Sequence, residues 1–413
     1  MFFETILFML LGICIGIFFG ITPGFHVNLA ITTLFPFAFL FPSPYQFVVL
    51  IVSVSCTEMF IDYIPSIFIG APDADTALSV LPGHRLLFEG RGYEAIKLTV
   101  IGGLGALMVG LLMIALVANV FGLLYDVSRP YMQYIILGVI GFMIISEKKP
   151  KKMLSAALII SLSGFLGLIT LNSSLVPQQE VLFPVLTGLF GLSGLMISLS
   201  EKAGIPEQKD DVKLKIKKKE IVKSVVLAAF AGILVGFLPA VGISEAAVMM
   251  QYVGGSNTAR SFLITTSGIN VANDLFSFIS LWLVGNPRSG ASVAIQQILT
   301  ELTFFDVLFL IGSIFFTAGI AAMLTLYLGK KIPKLLVKLN YRYLNISVII
   351  FIVVLVFLLT GFYGLLIAFT SASIGMLCVQ LKIRRSHCMG VLLCSTVLFF
   401  TGLSPTVISL LGI

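Results

Sequence analysis

Two groups of glycine and proline, half a chain apart, hold the residues best placed for chemistry. In the first, Gly16, Gly20, Thr22, Pro23 and Gly24 precede His26 and Asn28; in the second, Gly232, Gly236, Leu238, Pro239 and Ala240 precede Gly242 and Ser244. A second pair of breaks follows, Gly70-Ala71-Pro72-Asp73 and Gly285-Asn286-Pro287-Arg288. Gly16 and Gly232 stand 216 residues apart and Gly70 and Gly285 stand 215 apart, so the register is nearly kept. Breaks inside apolar helices free backbone N–H and C=O groups that lipid cannot satisfy, so they occur where they line a wet cavity. The helix that restarts after each break points its positive end at an anion. Thr22, Asn28, Thr76, Ser244, Ser289 and Ser292 fall at such restarts. Arg288 adds a full positive charge suited to carboxylate or phosphate, with an anchor among lipid headgroups as the alternative.

Acidic side chains near these breaks suit cations. Glu58 and Asp62 lie four apart, on one helical face leading into the Gly70 break. Such a pair could bind a cation or share a proton, because the two ionise poorly together. The alternative is a helix end close to the headgroups. Asn270, Asn273 and Asp274 occupy the matching stretch before Gly285, and Glu245 follows the Pro239 break as His26 follows Pro23. The alternative for Asn273 and Asp274 is a structural interhelical hydrogen bond. His26 reads more simply as a packed residue than as a ligand. Glu58, Asp62, Glu245, Asn273 and Asp274 are the candidate carriers of a coupling ion, either Na⁺ or a transported proton, and no resident cofactor is expected.

The elements that must position these residues are membrane helices. Mean hydropathy is +1.09, 58% of residues are hydrophobic, and residues 5–57 contain no Asp, Glu, Lys or Arg. A charge-free run that far exceeds the roughly 20 residues of one bilayer crossing holds at least two spans. The chain reads as an all-α polytopic membrane protein, and the expected location is the cell membrane. The N-terminal segment lacks a basic start and an A-x-A-like cleavage site, so it is expected to be retained. Five scattered cysteines without C-x-x-C or metal-ligand spacing point to no disulfide, zinc or redox motif; Cys14 and Cys56 read as packing residues. The net charge of +7 sits in loops beside apolar runs, which is the positive-inside pattern rather than a nucleic-acid surface.

Basic loops set the expected topology. They lie at Arg85, Arg91 and Lys97; at Lys148, Lys149, Lys151 and Lys152; at Glu201–Glu220 with seven Lys and five acids; at Lys330 to Arg342; and at Lys382, Arg384 and Arg385. With all five on the cytoplasmic side, both termini fall outside and each half crosses an odd number of times. Residues 1–200 and 221–413 are then inverted-topology repeats with Pro/Gly-broken or re-entrant helices, and 201–220 is the charged cytoplasmic linker. The runs 98–125, 131–147, 153–172 and 181–200 correspond to 305–329, 346–360, 363–381 and 388–412. The Gly16/Gly20 and Gly232/Gly236 pairs read as close helix contacts.

The stretch from Gly70 to Thr76, with Leu81-Pro82-Gly83-His84, Gly90-Arg91-Gly92 and Gly102-Gly103, resembles the TctA-type large membrane subunit of the tripartite tricarboxylate transporters. Thr22-Pro23-Gly24 is similar to that family's first Pro-Gly break, and Gly285-Asn286-Pro287-Arg288-Ser289 to its second-half G-x-P-x-S. The resemblance implies carboxylate uptake driven by an ion gradient, together with a small membrane subunit and an extracytoplasmic binding protein. Asp73 and Asp75 stand where small residues are usual in the family, and Arg288 where Gly is usual; its typical Tyr-Gly-Gly-Ser run is absent. These charged differences point to a different anion.

The leading expectation is an ion-coupled secondary transporter of an organic anion that alternates access between the repeats. Thr22, Pro23, Gly24 and Asn28, with Pro72, Asp73 and Thr76, would line one side of the site. Pro239, Gly242, Ser244, Asn286, Pro287, Arg288 and Ser289 would line the other. The same architecture could translocate a polyprenyl-phosphate carrier lipid instead, with Arg288 and the helix starts on the phosphate. An intramembrane enzyme has no support from H-E-x-x-H, G-x-S-x-G or a paired-Asp motif.

Overall fold

The computed structural model describes residues 2–22, 27–70, 76–177, 180–200, 206–209, 213–237, 242–254, 258–285, 287, 289–299, 301–336 and 341–411. All of its regular structure is helical. In the first half, α1 is Phe2–Ile21, α2 Val27–Leu34, α3 Pro44–Ile61, α4 Tyr63–Phe68, α5 Val80–Phe88, α6 Gly92–Ser128, α7 Met132–Ile145 and α8 Pro150–Asn172. Then α9 (Leu182–Leu186) runs through a π-helical segment, Thr187–Leu192, into α10 (Ser193–Ser200). In the second half, α11 is Lys218–Phe237, α12 Ile243–Gly254, α13 Ala259–Val284, α14 Gly290–Ile298, α15 Phe304–Leu336, α16 Tyr341–Gln380, α17 Gly390–Thr401 and α18 Ser404–Leu411.

Seven of the described helices are long and apolar enough to cross a membrane. The longest, α16, is interrupted at Gly361 (φ 66°, ψ −160°), a conformation open essentially to glycine alone. Each arm has about 20 residues and so about 30 Å of length, the thickness of a bilayer core. The expected division into runs 346–360 and 363–381 falls at this point.

Two compact units are present, and each takes segments from both halves of the sequence. The first comprises residues 1–69, 81–123 and 205–339; the second comprises 70–80, 124–204 and 340–413.

Within the first unit the same packing recurs in each half. Helix α1 lies on α3 through glycines: a Cβ on Gly16 would sit 2.7 Å from Thr57 Cβ, and one on Gly20 2.9 Å from Ile61 Cβ. Helix α11 lies on α13 likewise, with distances of 2.4 Å from Gly232 to Ala272 Cβ and 2.6 Å from Gly236 to Phe276 Cβ. Apolar association inside lipid gains nothing from water, so close backbone approach through small residues is what holds such pairs. The two halves also exchange partners. Helix α3 packs on α15, with Ser53 Oγ 3.0 Å from Thr317 Oγ1. Helix α13 packs on α6, where a Cβ on Gly102 would lie 2.2 Å from the Ile264 carbonyl oxygen.

Each exchanged pair is pinned at its start. The second residue of α3, Tyr45, donates its hydroxyl to Asp306 Oδ1 at 2.8 Å, and Asp306 is the third residue of α15. The second residue of α13, Arg260, donates Nε to Glu94 Oε1 at 3.0 Å, and Glu94 is the third residue of α6. Glu94 is fully buried and also accepts from Arg91 Nε and from the Lys215 amide at 2.7 Å. The described part of the charged linker is strapped here: Lys209 N donates to Gly90 O at 3.0 Å and Arg91 Nη2 to Lys213 O at 2.7 Å. Arg91, one of the residues that mark the first basic loop in the sequence, is 7% exposed, with its charge met by Glu94. Cys14 is corrected as well. It lies exposed on α1 rather than packed, whereas Cys56 is buried.

Candidate functional site

Helices α3 and α13 are the two spans whose apolar windows are wholly buried, and α13 is the least apolar of the seven. A span covered on every side by protein can carry polar groups that lipid would reject. Helix α3 starts after extended Ser43 with Pro44 at its first position, where a missing N–H costs nothing. Thr258 caps α13, its side chain accepting from Ser261 N at 3.1 Å. The other end of α13 stops at Gly285, whose left-handed φ of 68° closes the helix. Ser289 then opens α14 in a capping box with Ser292. The predicted second-half break is thus a true helix end followed by a true helix start.

Polar faces of the two enclosed helices meet at Ser55 and Asp274. Ser55 Oγ donates to Asp274 Oδ2 at 3.0 Å, and the Ser289 hydroxyl faces the same carboxylate. Ser277 Oγ donates to Ser292 Oγ at 2.9 Å, which ties the start of α14 to α13 one turn further on. Ser55 and Glu58 on α3 and Asp62, which caps its end, share one face by their spacing, and Glu58 and Asp62 are both buried. On α13, Asn270, Asn273, Asp274 and Ser277 share another, all buried. Asp274 Oδ1 and Asn270 Oδ1 have no hydrogen-bond partner among the described residues, although the residues are only 2% and 1% exposed. Buried oxygens left open one helical turn apart are a ready acceptor set for a cation or a proton.

The predicted residues divide as follows. Glu58, Asp62, Asn273, Asp274 and Ser289 lie on the elements just described, and Pro287 lies in the break between α13 and α14. Thr22 ends α1, its Oγ1 donating to Phe18 O at 2.7 Å. Gly242 opens α12, its carbonyl accepting from Ala246 N at 3.1 Å. Thr76 is buried and belongs to the second compact unit. Asn28 falls on α2, and Ser244 and Glu245 on α12, with side chains outside the description. Pro23, Gly24, His26, Pro72, Asp73, Pro239, Asn286 and Arg288 lie outside the described residues. Ser55 was missed by the sequence reading. Its signal was present in Ser53, Ser55 and Thr57, three hydroxyls on a span otherwise read only for its acids.

These features define a multi-pass helical membrane protein whose two central spans are polar and enclosed. The chain belongs to the tripartite tricarboxylate transporter TctA family, whose model matches residues 6–390. It is accordingly a transporter component and not an enzyme. It is also similar to the uncharacterized protein MJ1079 of Methanocaldococcus jannaschii, with 28% identity over 410 residues, 96% of this chain and 99% of that protein. No solved structure matches.

Proposed function

We propose that the protein is an ion-coupled permease for an organic anion, with residues 1–200 and 221–413 acting as inverted repeats that alternate access to one site. The observation that carries this reading is the enclosed contact of Ser55 with Asp274, midway along α13 and beside Ser289 at the start of α14. Asp274 is the principal ion carrier, with Asn273, Glu58, Asp62 and Glu245 as its neighbours in the pathway. The start of α14, with Ser289, Asn286, Pro287 and Arg288, offers backbone N–H groups and one cation to a substrate carboxylate. Thr22, Pro23, Gly24 and Asn28 line the first-half side, and Pro239, Gly242 and Ser244 the second. Support for the repeat comes from the position-matched pins Tyr45–Asp306 and Arg260–Glu94 and from the paired glycine contacts. Family membership supports a small membrane subunit and an extracytoplasmic binding protein as partners. The distribution of Lys and Arg supports placing both termini outside.

Uptake of labelled di- and tricarboxylates into proteoliposomes, with Na⁺ and proton gradients imposed separately, tests this reading. Wild-type uptake is expected to follow one of the gradients. Asp274→Asn is expected to lose that dependence while remaining monodisperse in detergent. Wild-type coupling in Asp274→Asn removes Asp274 from the mechanism. Movement of a polyprenyl phosphate with no carboxylate uptake replaces the cargo.

A further inference from the structure

In the first compact unit, the charged linker lays a ladder of lysines across one membrane face of the protein. Three spans end on that face: α6 and α13 start there, at Gly92 and Ala259, and α15 finishes there. A Cβ on Gly329, near the end of α15, would lie 2.7 Å from Ile96 Cγ2, which sets that end beside the start of α6. Arg260 joins the start of α13 to Glu94. The linker crosses this end on polar straps. Gln208 Oε1 accepts from the Gly92 amide at 2.9 Å, and Gln208 Nε2 donates to Leu87 O at 2.9 Å. Further along, the Lys213 carbonyl and the Lys215 amide both turn inward, to Arg91 and to Glu94.

With the backbone held inward, the side chains alternate. Leu214 and Ile216 are half-buried, while Lys213, Lys215 and Lys217 are exposed. Lys218, Lys219 and Lys223 continue the exposed charge onto the first turns of α11, whose residues 224–237 carry no charge. No acid among the described residues forms an ion pair with these six; Glu89 and Glu94, on the same end, are held by arginines. Apolar surface lies bare beside the cations, with Val222 61% exposed. Two more lysines lie over tyrosine rings at the ends of α6 and α15: Lys97 Nζ is 4.7 Å from the Tyr93 centroid and Lys331 Nζ 5.2 Å from the Tyr327 centroid. Cations, tyrosines and open apolar side chains together at helix ends match the headgroup layer of a bilayer. A surface built for nucleic acid or an acidic protein has no use for the bare apolar part.

We propose that this ladder binds the anionic headgroups of membrane phospholipids, with Lys213, Lys215 and Lys217 at its centre. Clusters of basic residues beside a membrane helix draw anionic lipid to themselves. The linker differs from a free polybasic tail because its backbone is already fixed by Arg91, Glu94 and Gly90, so less ordering opposes the contact. Lys213 and Lys215 face the lipid with their side chains and hold the starts of α6 and α13 with their backbone. Bound phospholipid therefore braces that joint as well.

Full-length protein in detergent, titrated with short-chain phosphatidylglycerol or phosphatidylcholine and read by native mass spectrometry, tests the proposal. Wild type is expected to bind phosphatidylglycerol more tightly, and the preference is expected to shrink between about 50 mM and about 1 M salt as the charges are screened. Lys213→Gln, Lys215→Gln and Lys217→Gln together are expected to weaken phosphatidylglycerol binding about a hundredfold, at roughly fivefold per lysine, and to leave phosphatidylcholine unchanged. The corresponding Lys→Arg triple is expected to bind as wild type does. Because the straps use backbone atoms, the lipid-free melting temperature of the glutamine triple is expected to match wild type. If that triple does not fold, Lys217→Gln alone, with an expected loss of roughly fivefold, and the wild-type comparison of the two lipids decide. Equal affinity of the wild type for both lipids overturns the proposal. So does an undiminished preference in the glutamine triple, an equal loss in Lys148→Gln, Lys149→Gln and Lys151→Gln of the other unit, or tighter binding of a single-stranded oligonucleotide than of phosphatidylglycerol.

Discussion

Replacing Glu94 with Ala tests most directly whether buried charge holds the first unit together. Glu94 is fully buried and joins four segments: Arg91 before α6, Lys215 in the linker, Arg260 at the start of α13, and its own helix. Removing the carboxylate strands Arg91, itself 7% exposed, with only the Lys213 carbonyl at 2.7 Å as an acceptor among the described residues. Breaking one side of a buried ion pair leaves an uncompensated charge and costs about 3–5 kcal/mol. Arg260→Ala deletes a partly exposed partner and leaves Glu94 still bound by Arg91, so its cost is about 1–3 kcal/mol. Arg85→Ala removes only a 3.6 Å surface pair with Glu89 and costs about 0–1 kcal/mol. Thermal unfolding in detergent, followed with a thiol-reactive dye, should rank the variants in that order. Trypsin provides an independent readout, because the linker backbone is held by Glu94 and Arg91. Cleavage at Lys213, Lys215 and Lys217 should accelerate in Glu94→Ala well below its unfolding temperature. A Glu94→Ala protein as stable as Arg85→Ala, with unchanged proteolysis, refutes the argument that this network holds the linker and the α6–α13 pair.

Further outcomes follow from the packing and from one acid outside the spans. Gly102→Leu forces a side chain onto the Ile264 backbone, where a Cβ would stand 2.2 Å away; overpacking of this kind costs about 1–3 kcal/mol or more. Gly138→Leu, with nothing within 4 Å of its Cβ position, should be close to neutral in the same melt. Gly361→Ala should destabilise by about 1–3 kcal/mol, since φ 66° and ψ −160° suit only glycine; an unchanged melting temperature would mean that α16 tolerates a straight joint. Burial raises the Glu147 carboxyl, but the His387 hydrogen bond, the Arg384 amide and the charges of both residues outweigh it and hold the carboxyl below its ordinary value. Its contribution is therefore complete above the unfolded carboxylate's pKa and is lost as pH falls toward the lower folded one. Stability measured across that acid window should flatten in Glu147→Gln, and a parallel curve would discount the pair.

The proposed inverted repeat draws on two polar pins as well as on glycine and proline spacing. Tyr45–Asp306 and Arg260–Glu94 each join the second residue of one helix to the third residue of another, while using different chemistry. The 215-residue register of Gly70 and Gly285 sets Tyr45 opposite Arg260. What recurs is the position at which an acid in the third residue of one helix meets a donor in the second residue of another.

Local composition settled the membrane class, the helical architecture, the break after α13 and the small-residue contacts, because each depends on residues a few positions apart. Gly285 and Ser289 act through their own backbone and caps, and Gly16, Gly20, Gly232 and Gly236 through the absence of a side chain. Tertiary structure alone decided which polar groups meet. Ser55 and Asp274 are separated by 219 residues, Glu94 and Arg260 by 166, and Tyr45 and Asp306 by 261. The burial of Arg91 and Arg385 was equally hidden, since in sequence both sit among loop charges. Helical period orients a side chain about its own axis but does not specify the neighbouring helix. That choice comes from which surfaces pack closely enough to exclude lipid, and it turns scattered polar residues into enclosed contacts.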